Sequence, residues 1–215
     1  AVDPAQTDDD YPQKLFSPTL YTGNGSTTAR NIDTGVAADW VWIKNRGAGS
    51  TDHMLYDSSR GVGKYLRSNK SDAEDTSGTS LSAFNSDGFQ LSDNGSYLNA
   101  GSNTYVAWNW RANGGTTAAN SVGGTSSVTQ VDPSKALSIV TYTGFSGSSG
   151  SSTVGHGMGV APAMIIHKSR SRESGWWTQF PNLLTNAGYF LDLSGTGAQT
   201  DLNSYGTMNV PTDAV

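Results

Sequence analysis

The stretch DTGVAADWVWIKNR (residues 33–46) has a near-copy in GMGVAPAMIIHKSR (residues 157–170). Aligned from Gly35 against Gly159, the two stretches share Gly, Val, Ala, Lys and Arg at a constant offset of 124 residues (159 − 35). In both, small residues lead into a run of aromatic or aliphatic side chains, which favours a β-strand. The sequence therefore contains the same predicted strand twice.

Further matches extend this repeat in both directions. At the same offset, Tyr65-Leu66 matches Tyr189-Phe190 and Phe84-Asn85 matches Met208-Asn209. Upstream, TLYTG (19–23) matches the end of ALSIVTYTG (136–144) at an offset of 121 (142 − 21). A repeat of this length is too long for a solenoid unit and indicates tandem modules. We predict a first module at 19–110 and a second at 136–215.

Short aromatic or β-branched runs, each bounded by Gly, Asn, Asp or Ser, recur along the first module and predict strands. These runs are 19–22, 39–44, 53–57, 64–68, 81–84, 89–92 and 105–110. AFNSDGFQL carries Ser-Asp-Gly between two apolar runs and predicts a hairpin. WVWI (40–43) is apolar on both faces, as in a strand covered on both sides. The fold class that follows is all-β, a jelly-roll-like antiparallel β-sandwich in two tandem related modules.

Two segments fall outside the modules. Residues 1–18 are acidic and contain proline, and they predict an extended N-terminal lead-in. Residues 111–135 contain paired glycines, Ser and Thr with almost nothing apolar, a composition typical of a flexible linker.

The second module lacks a counterpart of the aromatic strand YVAWNW (105–110), since at the 124 offset Val215 matches a position near Phe89 or Gln90. We therefore expect it to be incomplete. Either the chain continues past Val215 or a strand from another subunit fills the gap. The chain also starts without Met, as a processed product or a piece of a longer protein would.

The matched strands predict which residues form the core. We expect these residues to be mostly buried: in the first module Trp40, Trp42, Ile43, Val106, Trp108 and Trp110, and in the second Met164, Ile165 and Ile166.

Charge and composition exclude several classes of function. The formal net charge of −5 argues against nucleic-acid binding, which needs a basic surface. The chain has no Cys, so disulfides and thiolate metal sites are excluded. No apolar run approaches the roughly 18 residues that would span a bilayer, so we expect no membrane insertion.

The segment STDHMLYDSSRG (50–61) is the richest in functional groups and contains Asp52, His53, Asp57 and Arg60. One interpretation is a polar ligand-binding site. The other, which we favour, is an Asp57–Arg60 pair that locks a turn beside a histidine with ordinary hydrogen bonds.

Trp176 and Trp177 are adjacent in a polar setting. Neighbouring residues of a strand point to opposite faces, so one indole should be core and the other less buried. A partly exposed indole can stack on a sugar ring, although core packing is the usual role of tryptophan.

Signatures of catalysis are missing. The sequence has no HExxH, no GxSxG and no phosphate-binding loop with Ser or Thr after Gly-Lys. Asp52, Asp57, Glu74, Asp87 and Asp93 are spread through polar segments, where ordinary ionised carboxylates are expected. We predict no catalytic residue, metal or cofactor. The TDDD run (7–10) offers oxygen ligands for calcium, but its spacing does not match an EF-hand loop, and a solvated acidic run is the simpler interpretation.

The motifs YTGNGSTT, DWVWIKNRG, TDHMLYDSSRGVGKYLRSN, AFNSDGFQL and NTYVAWNWRANGG occur in this order. Together they resemble a repeat module of virion structural proteins from tailed phages of marine and other aquatic bacteria, many of them fibre-like. IVTYTGFSG and TVGHGMGVAPAMIIHKSRS resemble the following copy. The resemblance covers residues 19 to about 200. It implies a concanavalin-like β-sandwich on a particle surface, and it carries over no catalytic residues.

Three functions are compatible with these observations. The first is a non-enzymatic phage virion protein, a tail or head fibre or a surface decoration, that contacts other virion proteins, forms homo-oligomers and binds host-surface polysaccharide. The second is a subunit of a bacterial surface adhesin or appendage. The third is a glycan depolymerase, which would need two carboxylates across a cleft. We expect the first, with the protein extracellular on the virion surface.

Overall fold

The computed structural model describes residues 12–77, 81–144, 152–181, 189–201 and 211–215. It contains one short helix, α1 (Pro12–Leu15), and is otherwise built of strands. The strands up to residue 110 are β1 (Phe16–Thr22), β2 (Arg30–Asp33), β3 (Trp40–Asn45), β4 (Met54–Asp57), β5 (Leu66–Arg67), β6 (Leu81–Asn85), β7 (Gly88–Leu91) and β8 (Thr104–Trp110). The later strands are β9 (Ala118–Asn120), β10 (Ser127–Val131), β11 (Ser138–Tyr142), β12 (Ile165–His167), β13 (Trp177–Gln179), β14 (Tyr189–Asp192) and β15 (Thr200–Asp201).

The protein is all-β, and residues 16–110 form a two-layered antiparallel sandwich. One layer is a five-stranded sheet in the order β1-β8-β3-β4-β5, and the other is a three-stranded sheet in the order β2-β7-β6. The two aromatic strands, β3 and β8, lie side by side in the middle of the larger sheet. All seven predicted strands of the first module are confirmed, within a few residues at their ends.

The core lies between these two sheets. Alternate residues of β3 and β8 point inward, so that Val41, Ile43, Tyr105 and Ala107 are fully buried. They pack against Phe89 and the aliphatic side chains of the smaller sheet. Sheets packed face to face lie about 10 Å apart, and this aliphatic and phenyl-ring layer fills that space.

The tryptophans lie on the opposite face of the larger sheet. Trp40, Trp42, Trp108 and Trp110 are only half-buried, as is Val106. Of the six residues predicted to be mostly buried in the first module, only Ile43 lies in the core between the two sheets. The other five are half-buried on the outer face, where Trp40 and Trp42 pack against the smaller cluster of Leu55, Leu66 and Trp176. WVWI is apolar on both faces, and the smaller side chains of β3 and β8, not the indoles, take the inner one.

The predicted hairpin is confirmed. β6 and β7 pair up to Asn85 and Gly88, and the turn is Ser86-Asp87. Gly88 is required here because a Cβ at this position would lie 2.0 Å from the carbonyl oxygen of Ile32 on the neighbouring strand. A side chain at residue 88 would push β2 away from β7.

Both segments predicted to lie outside the modules have regular structure. In the lead-in, residues 12–15 form α1 and residues 16–18 belong to β1; residues 1–11 lie outside the described part. The linker prediction is wrong for β9 and β10, because β10 pairs with β9 on one side and β11 on the other. Gln130 in β10 is fully buried and its amide donates to the hydroxyls of Ser58 (3.0 Å) and Ser59 (2.7 Å).

Three strand pairings of the first copy recur in the second. The sheet β12-β13-β14-β15 repeats the order β3-β4-β5 followed by the bridge between Tyr65 and Asp75. The pair Val41–Tyr56 of the first copy is equivalent to Ile165–Gln179 of the second. In the same way, Leu55–Leu66 is equivalent to Thr178–Leu191, and Tyr65–Asp75 is equivalent to Phe190–Thr200. The difference in residue number between equivalent residues is thus 124 for Ile165 and Val41, 123 for Gln179 and Tyr56, and 125 for Leu191 and Leu66.

The two copies are in contact. Trp176 is 4% exposed and packs with Leu55 and Leu66 of the first copy, and Trp40 and Trp42 flank this cluster. Of the predicted core of the second module, Ile165 and Ile166 are half-buried, while Met164 is 45% exposed and does not belong to it. The division into two separately folding units stays a prediction.

Among the described residues, no helix has the length and apolar character that crossing a membrane requires.

Candidate functional site

An aromatic surface lies on the face of the second sheet that bears Trp177. Trp177 on β13 pairs with His167 on β12 and with Asp192 on β14, and cross-strand partners project from the same face. The Trp177 ring centroid lies 5.4 Å from that of Phe190 and 6.2 Å from that of His167. We call Trp177, Phe190 and Asp192 the platform.

The platform lines an open depression of about 400 Å³. The rest of the lining consists of small residues: Gly175, Gly195, Gly197, Ala198 and Thr200. Small residues leave the indole of Trp177, which is half-buried, accessible from the depression. The site is therefore an aromatic surface next to a single carboxylate.

The Asp192 carboxylate is held by local hydrogen bonds. Oδ1 accepts hydrogen bonds from the backbone N–H of Trp176 (2.9 Å) and from the backbone N–H (2.9 Å) and hydroxyl (2.6 Å) of Ser194. Burial opposes ionisation, but these hydrogen bonds outweigh it and the pKa of Asp192 lies below its ordinary value. Oδ2 lies against Gly175, where a Cβ would come within 2.4 Å of it. A side chain at residue 175 would therefore displace the carboxylate.

His167 and Tyr142 extend the aromatic surface beyond Trp177. Their rings stack with centroids 5.9 Å apart, and the Tyr142 hydroxyl is hydrogen-bonded to His167 Nε2. Burial, and after it the charge of Lys168, lowers the pKa of His167, and burial raises the pKa of Tyr142. Both side chains are therefore neutral at pH 7.

Trp176 and Trp177 point to opposite faces, as the alternation predicts. The indole N–H of Trp176 donates to the carbonyl oxygens of Arg67 (2.9 Å) and Lys70 (3.0 Å) in the first copy. Trp176 is thus buried at the contact between the copies, while Trp177 belongs to the platform. The predicted pair contains one structural and one candidate binding residue.

The residues of the segment 50–61 do not join the platform. Asp57 and Arg60 are buried, and Asp57 Oδ1 accepts the Arg60 backbone N–H at 2.8 Å while Oδ2 forms an ion pair with the Arg60 guanidinium. Arg60 also donates to Glu74 (3.0 Å) and to the Leu55 carbonyl oxygen (3.1 Å). These contacts describe the predicted turn lock within a larger buried network.

Asp52 and His53 are also engaged within the first copy. Asp52 accepts a hydrogen bond from the Asn69 side-chain amide at 2.7 Å and lies 3.6 Å from the Arg67 guanidinium. The indole N–H of Trp42 donates to His53 Nδ1 at 2.9 Å. Burial, and after it the charge of Lys44, lowers the pKa of His53. These contacts fix the conformation of the loop before β4.

Sequence reasoning missed Asp192, His167 and Phe190 as neighbours of Trp177. The one local signal was Asp192-Leu-Ser194, since an Asp two residues before a Ser is a frequent Asx turn. No group of three or more His, Cys, Asp or Glu side chains able to hold a metal ion occurs in the described part of the chain. The TDDD run (7–10), considered for calcium, lies outside it.

Comparison with known proteins gives a family without an assigned activity. The sequence profile described as Domain of unknown function (DUF7483) matches residues 11–215. The chain belongs to this family. No curated protein and no solved structure matches the chain. In this DUF7483 domain, the match extends over both copies of the internal repeat.

Proposed function

We propose that this protein is a non-enzymatic structural protein of a tailed-phage particle, a fibre or surface decoration, whose platform binds carbohydrate on the host surface. The observation that carries the binding role is Trp177 with Asp192 beside it in an open depression of about 400 Å³. A pyranose ring has apolar C–H faces that stack on an indole, and equatorial hydroxyls that donate to a carboxylate. The particle context rests on the resemblance of the repeat motifs to phage virion modules.

Binding without hydrolysis suits the lining of the depression. Glycoside hydrolysis commonly uses two carboxyl groups roughly 5–9.5 Å apart. Of the described residues that line the depression, Asp192 is the only acid. Its lowered pKa favours the ionised form, which can accept hydrogen bonds but cannot act as a general acid.

The binding role is tested with an array of bacterial surface polysaccharides and the Trp177→Ala and Asp192→Asn variants. We expect Trp177→Ala to abolish binding, and Asp192→Asn to weaken it by about tenfold because one charge-assisted hydrogen bond becomes neutral. Trp108→Ala is the matched control, since Trp108 is a half-buried indole of the first copy that lies outside the platform. Binding that survives Trp177→Ala, or is lost equally in the control, would overturn the assignment.

The particle context is tested separately. Mass spectrometry of purified phage particles and of the host cell envelope should place the protein in the particle, together with capsid and tail proteins. Finding it in the envelope of uninfected bacteria would instead establish a bacterial adhesin. Release of reducing ends from a bound polysaccharide would establish a depolymerase.

A further inference from the structure

The charge of the depression beside Trp177 is negative. Asp192 is the one charged side chain among the described residues that line it. All 13 Lys and Arg residues of the chain and its 3 His residues lie in the described part, and none of them lines the depression. The rest of the chain contains no basic side chain that could neutralise Asp192.

The two oxygens of the Asp192 carboxylate have different surroundings. Oδ1 accepts all three of the hydrogen bonds described above, two from Ser194 and one from the backbone of Trp176. No donor in the described part of the chain reaches Oδ2. The space beside Oδ2 is kept open by Gly175, where a Cβ would lie 2.4 Å from this oxygen. Oδ2 is therefore the oxygen that a ligand in the depression can reach.

The aromatic rings of the platform favour the same kind of ligand group as this oxygen. Trp177 and Asp192 are cross-strand partners, and the Cβ atoms of such partners lie about 4.5–5.5 Å apart. The rings of Trp177 and Phe190 both line the depression and are inclined at 42° to each other. The face of an indole carries the negative part of its quadrupole and attracts a cation within about 6 Å of the ring centroid. Carboxylate and ring face both attract positive charge.

The basic residues near the platform do not oppose this. His167 lies on the other side of Trp177 from Asp192, and burial lowers its pKa, so that it is neutral at pH 7. The charge of Lys168 contributes to the lowered pKa of Asp192. Its ammonium group, however, donates to the carbonyl oxygens of Ser71 (3.2 Å) and Ser169 (2.8 Å) and does not line the depression.

We propose that the platform recognises a protonated primary amino group, and that its ligand is a polysaccharide with hexosamine residues that are not N-acetylated. This inference rests on the carbohydrate-binding role proposed above. The pyranose ring stacks on Trp177, and its ammonium group donates to Oδ2 of Asp192 in a charge-assisted hydrogen bond. The depression of about 400 Å³ lies within the range of about 300–1,000 Å³ typical of small-molecule sites and has room for a sugar residue. Uronic and sialic acids are repelled by Asp192.

The experiment titrates the whole chain with three oligosaccharides of equal length in a calorimeter, below the pKa of the amino groups. They are β-1,4-linked oligomers of glucosamine, of N-acetylglucosamine and of N,N,N-trimethylglucosamine. We expect the glucosamine oligomer to bind at least about tenfold more tightly than the N-acetylated one, which has no positive charge. The trimethylated oligomer keeps the charge but has no N–H donor, and its affinity should lie between the two.

The outcomes separate this inference from the carbohydrate-binding role. Equal or tighter binding of the N-acetylated oligomer would overturn the inference and leave that role intact. Trimethylated and unmodified oligomers of equal affinity would show that no N–H donates to Oδ2, and would overturn the assignment of a primary amino group. If the three oligomers fail to bind while a neutral polysaccharide binds through Trp177, the inference alone is wrong. If no polysaccharide binds at all, the carbohydrate-binding role is wrong as well.

Asp192→Asn tests whether the preference comes from this carboxylate. The asparagine oxygen can keep the three hydrogen bonds of Oδ1, while its amide nitrogen replaces Oδ2. The ratio of affinities for the glucosamine and N-acetylglucosamine oligomers should fall to about one. Glu173→Gln is the matched control, since Glu173 is an exposed acid outside the lining and its loss should leave the ratio unchanged. An equal fall in both variants would show only a general attraction of cations to an acidic protein, and would overturn the proposal.

Gly175→Ala tests the same contact without changing the charge of the protein. The added Cβ would lie 2.4 Å from Oδ2 and would displace it from the depression. The ratio of affinities should therefore fall in this variant too, with circular dichroism to check that the fold is kept. A folded Gly175→Ala protein with the wild-type ratio would show that Oδ2 is not the acceptor, and would overturn the proposal.

Discussion

Arg170 binds Glu74 across the two copies of the repeat. Nε donates to Oε2 at 3.0 Å and Nη2 donates to Oε1 at 2.8 Å, so the guanidinium binds both oxygens of the carboxylate. Arg60 donates to the same Oε2 at 3.0 Å from within the first copy. The backbone N–H of Glu74 also donates to the Arg170 carbonyl oxygen at 2.8 Å. Glu74 is therefore a point at which the second copy is fixed to the first.

The Glu74→Gln variant should lower the free energy of unfolding by about 1–3 kcal/mol, because charge-assisted hydrogen bonds to two arginines become neutral or are lost. Urea denaturation measures the change. Glu173→Gln is the matched control, since Glu173 is an exposed acid three residues from Arg170 and should change stability by less than about 0.5 kcal/mol. Equal effects of the two variants would show that Glu74 does not fix the copies together.

The same carboxylate predicts acid sensitivity. Burial opposes its ionisation, but hydrogen bonds from Arg170 and Arg60 outweigh burial and hold the pKa of Glu74 below its ordinary 4.5. Since the folded state favours the ionised form, this stabilisation is complete above pH 4.5 and is lost as the pH falls through the folded pKa. We expect the unfolding free energy of the wild type to fall faster below about pH 4.5 than that of Glu74→Gln. If the unfolding free energies of the wild type and of Glu74→Gln fell in parallel with pH, this prediction would be wrong.

Asp39 fixes the turn that follows the first sandwich. Its buried carboxylate accepts the backbone N–H groups of Ala112 (2.7 Å), Gly114 (2.9 Å) and Gly115 (2.8 Å). Asp39→Ala should destabilise the protein by about 3 kcal/mol or more, because the N–H groups of Ala112 and Gly114 lose this acceptor and that of Gly115 keeps only the Gln130 side chain. Limited proteolysis should then cut first at 112–117. The exposed Asp213→Ala is the control, and an unchanged cleavage pattern in Asp39→Ala would refute the role of Asp39.

The strands could be predicted from the sequence where local pattern decides them. The hydrophobic runs of β1, β3, β4 and β8 need no knowledge of their partners. Strands β2 (RNID) and β9 (AAN) were missed because they have little apolar character and are strands only through pairing with β7 and β10. Tertiary hydrogen bonding overrides weak local preference in such segments.

The buried face of the central strands could not be deduced from alternation. Asn45 and Asn109 lie on the inner face with Val41 and Ala107, and both are buried. Their side-chain amides donate to the carbonyl oxygens of Ser96 (2.6 Å) and Ser17 (2.8 Å). In sequence, this face of β8 looks more polar than the tryptophan face, and the predicted core contained Val106, Trp108 and Trp110 but neither Tyr105 nor Ala107.

The site was predicted only in part. Alternation between adjacent residues correctly gave Trp176 and Trp177 opposite faces. The neighbours of Trp177 are more distant in sequence, and their approach depends on the register between β12, β13 and β14. The role of Glu74 was missed for the same reason, since Arg170 lies 96 residues further along the chain.

The pKa of His53 should lie below the ordinary value of histidine in the folded protein. Burial, and after it the charge of Lys44, lowers its pKa from 6.5. The indole N–H of Trp42 donates to Nδ1 and therefore fixes the tautomer that is protonated at Nε2. In Trp42→Phe this donor is lost, protonation becomes easier, and the pKa of His53 should rise towards 6.5. NMR titration of the imidazole ring measures the pKa of His53 in the variant, and an unchanged pKa would contradict the hydrogen bond between Trp42 and His53.

The neutral form of His53 is the one that the folded state favours. Its contribution to stability is present above pH 6.5 and is lost as the pH falls through the lowered pKa. Trp42→Phe should reduce this loss as the pH falls below 6.5. Denaturation measured above and below pH 6.5 checks this prediction, with Trp108→Phe as the control, because Trp108 is a neighbouring half-buried indole.

Substitutions of Trp176 and Trp177 by alanine should change the free energy of unfolding by different amounts, because the two side chains lie on opposite faces. Trp176 is buried against Leu55 and Leu66, and its indole N–H is bonded to two carbonyl oxygens, so Trp176→Ala leaves a cavity and unpaired acceptors. The expected loss is about 3–5 kcal/mol in the free energy of unfolding. Trp177→Ala removes a half-buried ring that borders an open depression, and its loss should be about 1–2 kcal/mol, near the average for point mutations. Urea denaturation of both variants decides the matter. Since the two residues are adjacent and identical in chemistry, a larger loss for Trp177→Ala would reverse the assignment of the two faces and would remove the accessible indole on which the carbohydrate platform depends.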